Sequence, residues 1–258
     1  MKSKKLSKVS KVKYAKPVCI GTGLMALDIV MNGDPKKGQT FAGGSCGNVI
    51  SILSFLGWNT FPIARFSKIK ATDEIIIDLN KWNVNRDFIS IEETGSTPII
   101  IHRIYNDKDN NIRHRFEFKV PGPGKWLPGY KSILRTETEA ILAKKAVANV
   151  FFFDRVSRAA LDLASAYKKS GCLIFFEPSS FKEDNQFKEA IELADVIKFS
   201  SERIRSFSEK FPEKQAFLEI ETLGSEGLLY RTKKQRKNEW KYLPSLKLAK
   251  IADSAGAG

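Results

Sequence analysis

Four runs in the second half of the chain leave few architectures open: residues 149–154 (NVFFFD), 172–178 (CLIFFEP), 195–200 (DVIKFS) and 216–224 (AFLEIETLG). The first two are apolar at consecutive positions, which a strand needs when both of its faces are covered. Segments of helical period lie between them, at 156–169, 184–193 and, shorter, 201–209. Strand and helix in alternation build a doubly wound, mainly parallel sheet with helices on both faces, an α/β fold of Rossmann-like type. Residues 226–243 read as a closing β-hairpin.

The first half is less regular. Residues 17–23 (PVCIGTG) read as a short buried strand ending in a glycine turn. Over 47–57 the spacing of Val49, Ile52, Leu53 and Leu56 predicts a helix with Gly57 at its C-terminal cap. A second helix is predicted at 72–82 through Ile75, Ile76, Leu79 and Trp82. Residues 97–105 and 112–120 are β-rich and flank the turn cluster NDKDNN, so they form a hairpin. The breaker PGPGKWLPG at 121–129 returns the chain to the sheet. No internal repeat is visible.

The 258 residues are 42% hydrophobic and carry a net charge of +14. That charge is localised: residues 1–16 hold seven lysines and no acid, and residues 231–241 hold six bases and one acid. The rest is nearly neutral. A nucleic-acid groove spreads its bases along a face and interleaves them with aromatics; here they sit in a tail (1–16, expected to be disordered) and one loop. A solvated role is expected, with weak attraction to RNA or other polyanions. Three scattered cysteines, Cys19, Cys46 and Cys172, do not make a disulfide framework. Cys46, in a glycine-rich turn, is either a reactive thiol or a small buried one. With no CxxC pair and only His102 and His114, no zinc site is expected. No apolar stretch has the length of a membrane span or a signal peptide, so the cytoplasm is the expected location.

Three glycine turns carry the functional argument: Gly43-Gly44-Ser45-Cys46-Gly47-Asn48, Thr222-Leu223-Gly224-Ser225-Glu226-Gly227 and Asp253-Ser254-Ala255-Gly256-Ala257-Gly258. In this order and spacing they resemble the ribokinase-like (PfkB) family of carbohydrate and nucleoside kinases, from about residue 18 to the last residue. The resemblance implies one domain over 17–258 with a β-sheet lid made largely of 97–120. It also implies ATP-dependent, Mg2+-dependent phosphorylation of a hydroxyl of a sugar or related small molecule. Asp28 would grip substrate hydroxyls, Gly43 and Gly44 would let the backbone approach, and Asn48 would contact another hydroxyl. Thr222, Gly224, Gly227 and Asp253 would lie on the nucleotide side. Glu202, in Ser200-Ser201-Glu202, stands where the family keeps a Glu that positions magnesium through water, although the accompanying Asn is missing. Gly256, Ala257 and Gly258 would form the anion hole for the transferred group. Lid sheets in such folds often pair, so a homodimer through the lid is one expectation.

In the family that last motif continues Gly-Ala-Gly-Asp, the Asp being the proton acceptor. Gly258 is the last residue of the sequence. The chain as given is therefore expected to be inactive, and to be part of a longer reading frame or to be completed by a second polypeptide. A nucleoside kinase of the same fold is the nearest alternative. A non-catalytic regulatory or nucleic-acid-binding module on that fold is the other. Several residues keep plainer readings beside these: Asp28 as a turn cap, Asn48 as a helix N-cap, and His102, Arg103, His114 and Arg115 as the solvated face of the hairpin. Asp154-Arg155 and Glu177-Pro178, at strand ends, are either ligand-facing or exposed local turns.

Overall fold

A computed structural model describes residues 15–32, 38–108, 112–144, 147–205, 207–234 and 239–246. The basic tail up to residue 14, residues 235–238 of the basic loop, and the terminal motif with Asp253, Gly256, Ala257 and Gly258 lie outside the described residues. Nine strands form one sheet: β1 (Val18–Thr22), β4 (Asn59–Phe66), β5 (Ile89–Ile91), β8 (Val150–Phe153), β9 (Leu173–Phe176), β10 (Val196–Ser200), β11 (Leu218–Thr222), β12 (Gly227–Thr232) and β13 (Lys241–Pro244). Their order is β13-β12-β11-β10-β9-β8-β1-β4-β5, with β12 and β13 antiparallel and the rest parallel. The chain winds outward from β1 through β4 to β5, then returns to β8 and winds the other way. The winding reverses between β1 and β8, and a sheet of this kind takes ligands at the carboxyl ends of the strands flanking such a reversal.

The uninterrupted apolar runs follow from this layering. Phe151 and Phe153 pack with Ile174, Phe176 and Phe199 beneath α4 (Arg158–Lys169) and α5 (Asn185–Leu193). Phe152, between them, packs on the other face with Cys19, Ile50 and Ile75, from β1, α1 (Gly44–Phe55) and α2 (Lys70–Lys81). One side chain per position serves two cores, so none of the three can be polar. Helix starts follow their caps: Ser157 Oγ accepts from Ala160 N at 3.2 Å, and Asp184 Oδ1 from Phe187 N at 2.8 Å. Among the described residues no helix is long and apolar enough to cross a membrane.

Four expectations change. The helix predicted from residue 47 begins at Gly44, so Asn48 lies in its second turn and is not its cap. Its buried stripe is Cys46, Gly47 and Ile50, while Ile52 and Leu56 are 54% and 64% exposed. The reason is close approach to β1, where a Cβ on Gly21 would lie 3.1 Å from Ile50 Cδ1. Gly57 does end the helix: its φ is +91°, its N–H bonds Ser54 O and the next N–H bonds Leu53 O. The helix expected over 201–209 is reduced to α6 (Phe207–Lys210). Strands β4 and β5 and helix α3 (Arg135–Ala143) had no clear signal in the sequence.

The hairpin of β6 (Ile99–Asn106) and β7 (Ile112–Glu117) makes half of a second sheet, ordered β3-β2-β6-β7 with β2 (Ala26–Asn32) and β3 (Gln39–Gly43). Arg103 and Arg115, directly opposite each other, both approach Glu117 and remain partly or largely exposed. His102 on the other face is 4% exposed, so the solvated-face reading fails for it.

The basic loop is also not simply solvated. Arg231 is 1% exposed; its Nε bonds Glu219 at 2.6 Å, and its guanidinium donates to the carbonyls of Phe211, Pro212 and Glu213 over the ring of Trp240. The other Glu219 oxygen accepts from Gln215 N and Ala216 N. Removing one partner strands a buried charge. Arg231→Met is expected to lower stability by about 3–5 kcal/mol in urea unfolding, with Glu219→Leu added to Arg231→Met recovering much of that loss.

Candidate functional site

At the reversal point Gly23 and Leu24 follow β1, and Asp154 follows β8. Leu24 N donates to Asp154 Oδ1 at 2.8 Å, and Leu24 O accepts from Cys46 N at 3.0 Å and Gly47 N at 3.4 Å. Asp154 also takes an ion pair from Arg155 at 2.7 Å and a hydrogen bond from the Ser45 side chain. Gly23 has φ +141°, and a Cβ there would lie 1.5 Å from Asp154 Oδ1. Burial raises the Asp154 pKa, opposed by Arg155 and by the Leu24 N–H. The reading of Asp154 as half of an exposed turn is thus corrected: its carboxylate is 1% exposed and joins the main sheet to the start of α1. Glu177, the next strand end, pairs with Lys198 at 3.0 Å.

Asp28 stands on β2, beside that helix start. Its Oδ2 accepts from Gly44 N at 3.4 Å, and its Oδ1 is buried with no hydrogen-bond partner. Gly43 and Gly44 make this approach feasible. A Cβ on Gly43 would lie 1.9 Å from Asp28 Oδ2, and Gly44 has φ +80° with a Cβ position 2.5 Å from Leu24 O. Burial pushes the Asp28 carboxyl up from 3.8 to about 6 against the Gly44 bond. A half-desolvated carboxylate with a spare acceptor oxygen suits a hydroxyl donor. Asn48 is exposed and one turn beyond Gly44, hence on the same flank of α1. Cys46 is wholly buried and burial raises its thiol pKa, which makes it an unreactive packing group.

The second group of predicted residues lies along the same carboxyl edge, at β10 and β11. Four strand spacings, about 19 Å, separate β1 from β11. Ser201 N donates to Thr222 O at 3.1 Å, and Thr222 Oγ1 to Phe199 O at 3.4 Å, which ties the two strand ends together. Gly224 has φ +59° and open space where a side chain would stand. Gly227 has a different reason: a Cβ there would lie 2.2 Å from Leu243 O, so β13 demands the glycine. Glu202 is exposed, its N–H on Ser200 Oγ at 3.3 Å. Among the described residues no group of three His, Cys, Asp or Glu could hold a metal ion. Between the two groups, at the ends of β8 and β9, a cleft of about 140 Å³ opens between Arg155 and Lys182.

The sequence marks Asp154 as a strand-end acid, ligand-facing or in an exposed turn, but gives no sign of its burial or of the bond from Ser45. The raised Asp28 pKa gives a stability test. The folded state holds a proton between about pH 4 and 6 that the unfolded chain releases, so stability falls as pH rises through that window. Above it the ionised carboxylate costs about 3 kcal/mol. Asp28→Asn is expected to be more stable than the parent by up to about that amount at pH 7, with the difference gone below pH 4, in denaturant titrations at both pH values.

No protein-family model matches the chain, and no curated protein does. Solved structures do. An uncharacterized sugar kinase from Pyrococcus horikoshii is 20% identical with a TM-score of 0.69, over 93% of this chain and 80% of that one. A nucleoside kinase from Burkholderia thailandensis, in complex with inosine, is 14% identical with a TM-score of 0.65, over 92% and 79%. A fructokinase from Xylella fastidiosa is 14% identical with a TM-score of 0.60, over 91% and 77%. The chain has the ribokinase-like α/β fold, the fold of these sugar and nucleoside kinases.

Proposed function

We propose that the protein binds ATP and a small polyol, a sugar or a nucleoside, on the carboxyl edge of its main sheet, for transfer of the γ-phosphoryl group to a polyol hydroxyl. The observation that carries this reading is the buried, unpartnered Oδ1 of Asp28 beside the glycine pair Gly43-Gly44. Two neighbouring hydroxyls can donate to one carboxylate, and their bonds offset its desolvation. Asn48, on the same flank of α1, supplies a further polar contact. The four-stranded sheet that carries Asp28 acts as a lid that sheds water from the acceptor.

ATP is assigned to the β10–β11 end, with Thr222 and Gly224 beside it. Pyrococcus horikoshii sugar kinase and Xylella fastidiosa fructokinase, both of this fold, have been solved with ATP. Magnesium would arrive with the nucleotide phosphates, since magnesium keeps much of its water and takes one or two carboxylates at most; Glu202 fits that outer role. Bound there, it would neutralise phosphate charge. The family resemblance assigns the anion hole to Gly256, Ala257 and Gly258, which lie outside the described residues. Phosphoryl transfer needs positioning and charge stabilisation more than covalent work from the protein, and the residues of this chain supply the positioning.

Calorimetric titration with Mg-ATP and a panel of sugars and nucleosides tests this. At least one polyol should bind, and Asp28→Asn should weaken it roughly 10–100-fold, the worth of a charged hydrogen bond, while ATP affinity stays within twofold. Acceptor affinity should also fall as the pH drops below about 6, where Asp28 takes up a proton. Polyol binding indifferent to Asp28→Asn, or the absence of any polyol binding, would sink the reading.

A further inference from the structure

The two basic stretches of the chain, far apart in sequence, come out at one edge of the main sheet. Residues 15–17 close the lysine-rich stretch, and Pro17 O accepts from Asn59 N at 2.9 Å where β4 begins. Val18 O accepts likewise from Asn149 N, just ahead of β8. This is the amino edge, opposite the carboxyl edge proposed for acceptor and ATP. Strand β12 runs antiparallel and so ends at the amino edge too. Lys233 N donates there to Phe217 O at 3.0 Å, and Lys234 Nζ lies 5.9 Å from the Phe217 ring. Five strand spacings, about 24 Å, separate the two stretches. Lys16, Lys233 and Lys234 are exposed, as are Arg86, Lys144 and Lys169 at the same edge. The exposed acids Asp87, Glu192, Glu213 and Glu239 offset them in part. Residues 1–16 hold seven lysines, Lys16 among them, and no acid.

The same edge also exposes apolar side chains. Phe55, at the end of α1, and Leu56, its cap, are 70% and 64% exposed, and Val147, ahead of β8, is 83% exposed. Trp82 meets Phe55 edge-on, ring centroids 5.7 Å apart, and is itself partly in water, as is Phe217. Lys81 and Lys169 have a plain role, balancing the carboxyl ends of α2 and α4. That role does not extend to Lys233 and Lys234, or to Phe55, Leu56 and Val147. Apolar and aromatic side chains among lysines fit the boundary of an anionic bilayer, where rings enter the headgroup layer and ammonium groups meet the lipid charges. A nucleic acid would use the bases and the rings, but not Leu56 or Val147. Phosphate recognition also favours the arginine fork, and lysine predominates here.

We propose that the amino edge of the main sheet is a docking surface for an anionic lipid membrane. Phe55, Leu56 and Trp82 enter the headgroup layer, while Lys16, Lys233, Lys234 and the other lysines of residues 1–16 meet the surface charge. The two signals are needed together, because a few apolar side chains or a basic stretch alone give only weak attachment. Docked this way, the chain turns its carboxyl edge to the water, where small soluble ligands reach it. No residue of this surface belongs to the site on the carboxyl edge, so either reading can fail without the other.

Co-sedimentation of the full chain with vesicles tests this, phosphatidylcholine alone against phosphatidylcholine with about one third phosphatidylserine. The mixed vesicles should bind about tenfold better or more, and binding should fall steeply as salt rises. Phe55→Ser combined with Leu56→Ser, both exposed in the free fold, should weaken binding about tenfold or more with the circular dichroism spectrum unchanged. Lys233→Gln combined with Lys234→Gln should weaken it roughly 5–30-fold. Equal binding to both kinds of vesicle, or none to either, would overturn the proposal. Binding unmoved by both double variants would overturn it as well, leaving attraction to the lysine-rich stretch alone. Single-stranded RNA binding tighter than vesicles, with the Phe55 and Leu56 changes without effect on either, would reassign the surface to nucleic acid.

Discussion

Leu24 is held at both of its backbone polar groups, and the site depends on that. Its N–H is committed to the buried Asp154 carboxylate at the end of β8, and its carbonyl to the first N–H groups of α1. A strand of the main sheet, the helix and the chain leading into strand β2 of the second sheet thus meet at one residue. A hydrogen bond to a buried carboxylate is among the stronger ones a fold can use, and losing it would leave that charge short of a donor. The glycines on either side fit around this junction: Gly23 faces the carboxylate, and Gly44 faces the Leu24 carbonyl. Asp28 is placed four residues on, at the glycine pair that opens the helix.

Much of the sheet was legible because two-sided burial leaves a strong mark. Phe151, Phe152 and Phe153 face alternate cores, so the sequence shows an unbroken apolar run, and strand β8, like β9 after it, follows from such a run. Strand β4 carries Asn59, Pro62 and Arg65 among its apolar residues and gives no such run. Helix α1 is apolar around most of its circumference, so periodicity could not say which stripe faced inward; the decision came from contact with Gly21 on a strand far away in sequence. Arg231 was hidden in a basic stretch, because only the partner on β11 distinguishes a buried cation from a solvated one. In the site, glycine pairs signalled close backbone approach, and at Gly43 and Gly44 the approach is to Asp28 and Leu24. Gly227 showed the same signal for a packing reason. Asp154 could be read as ligand-facing or as a turn residue, since burial at a strand end leaves no trace in the local pattern.

Stability and site chemistry pull in opposite directions at Asp28. Packing an ionised carboxylate with one oxygen unpartnered lowers the stability of the free protein, and at neutral pH a donor arriving from outside removes that penalty. The pair Arg231–Glu219 is the opposite case, a buried charge satisfied entirely within the chain.

The reversal between β1 and β8 also divides the chain as a linear object. Every residue proposed for the acceptor, from Asp28 through the β6–β7 hairpin, is encoded before residue 120, and the described residues proposed for the donor follow residue 200. The two halves of the main sheet meet side by side along the strand pair Cys19–Thr22 and Val150–Phe153. Selection on the acceptor can therefore rewrite one contiguous block of sequence and leave the other intact, as with interchangeable tool heads on a common handle.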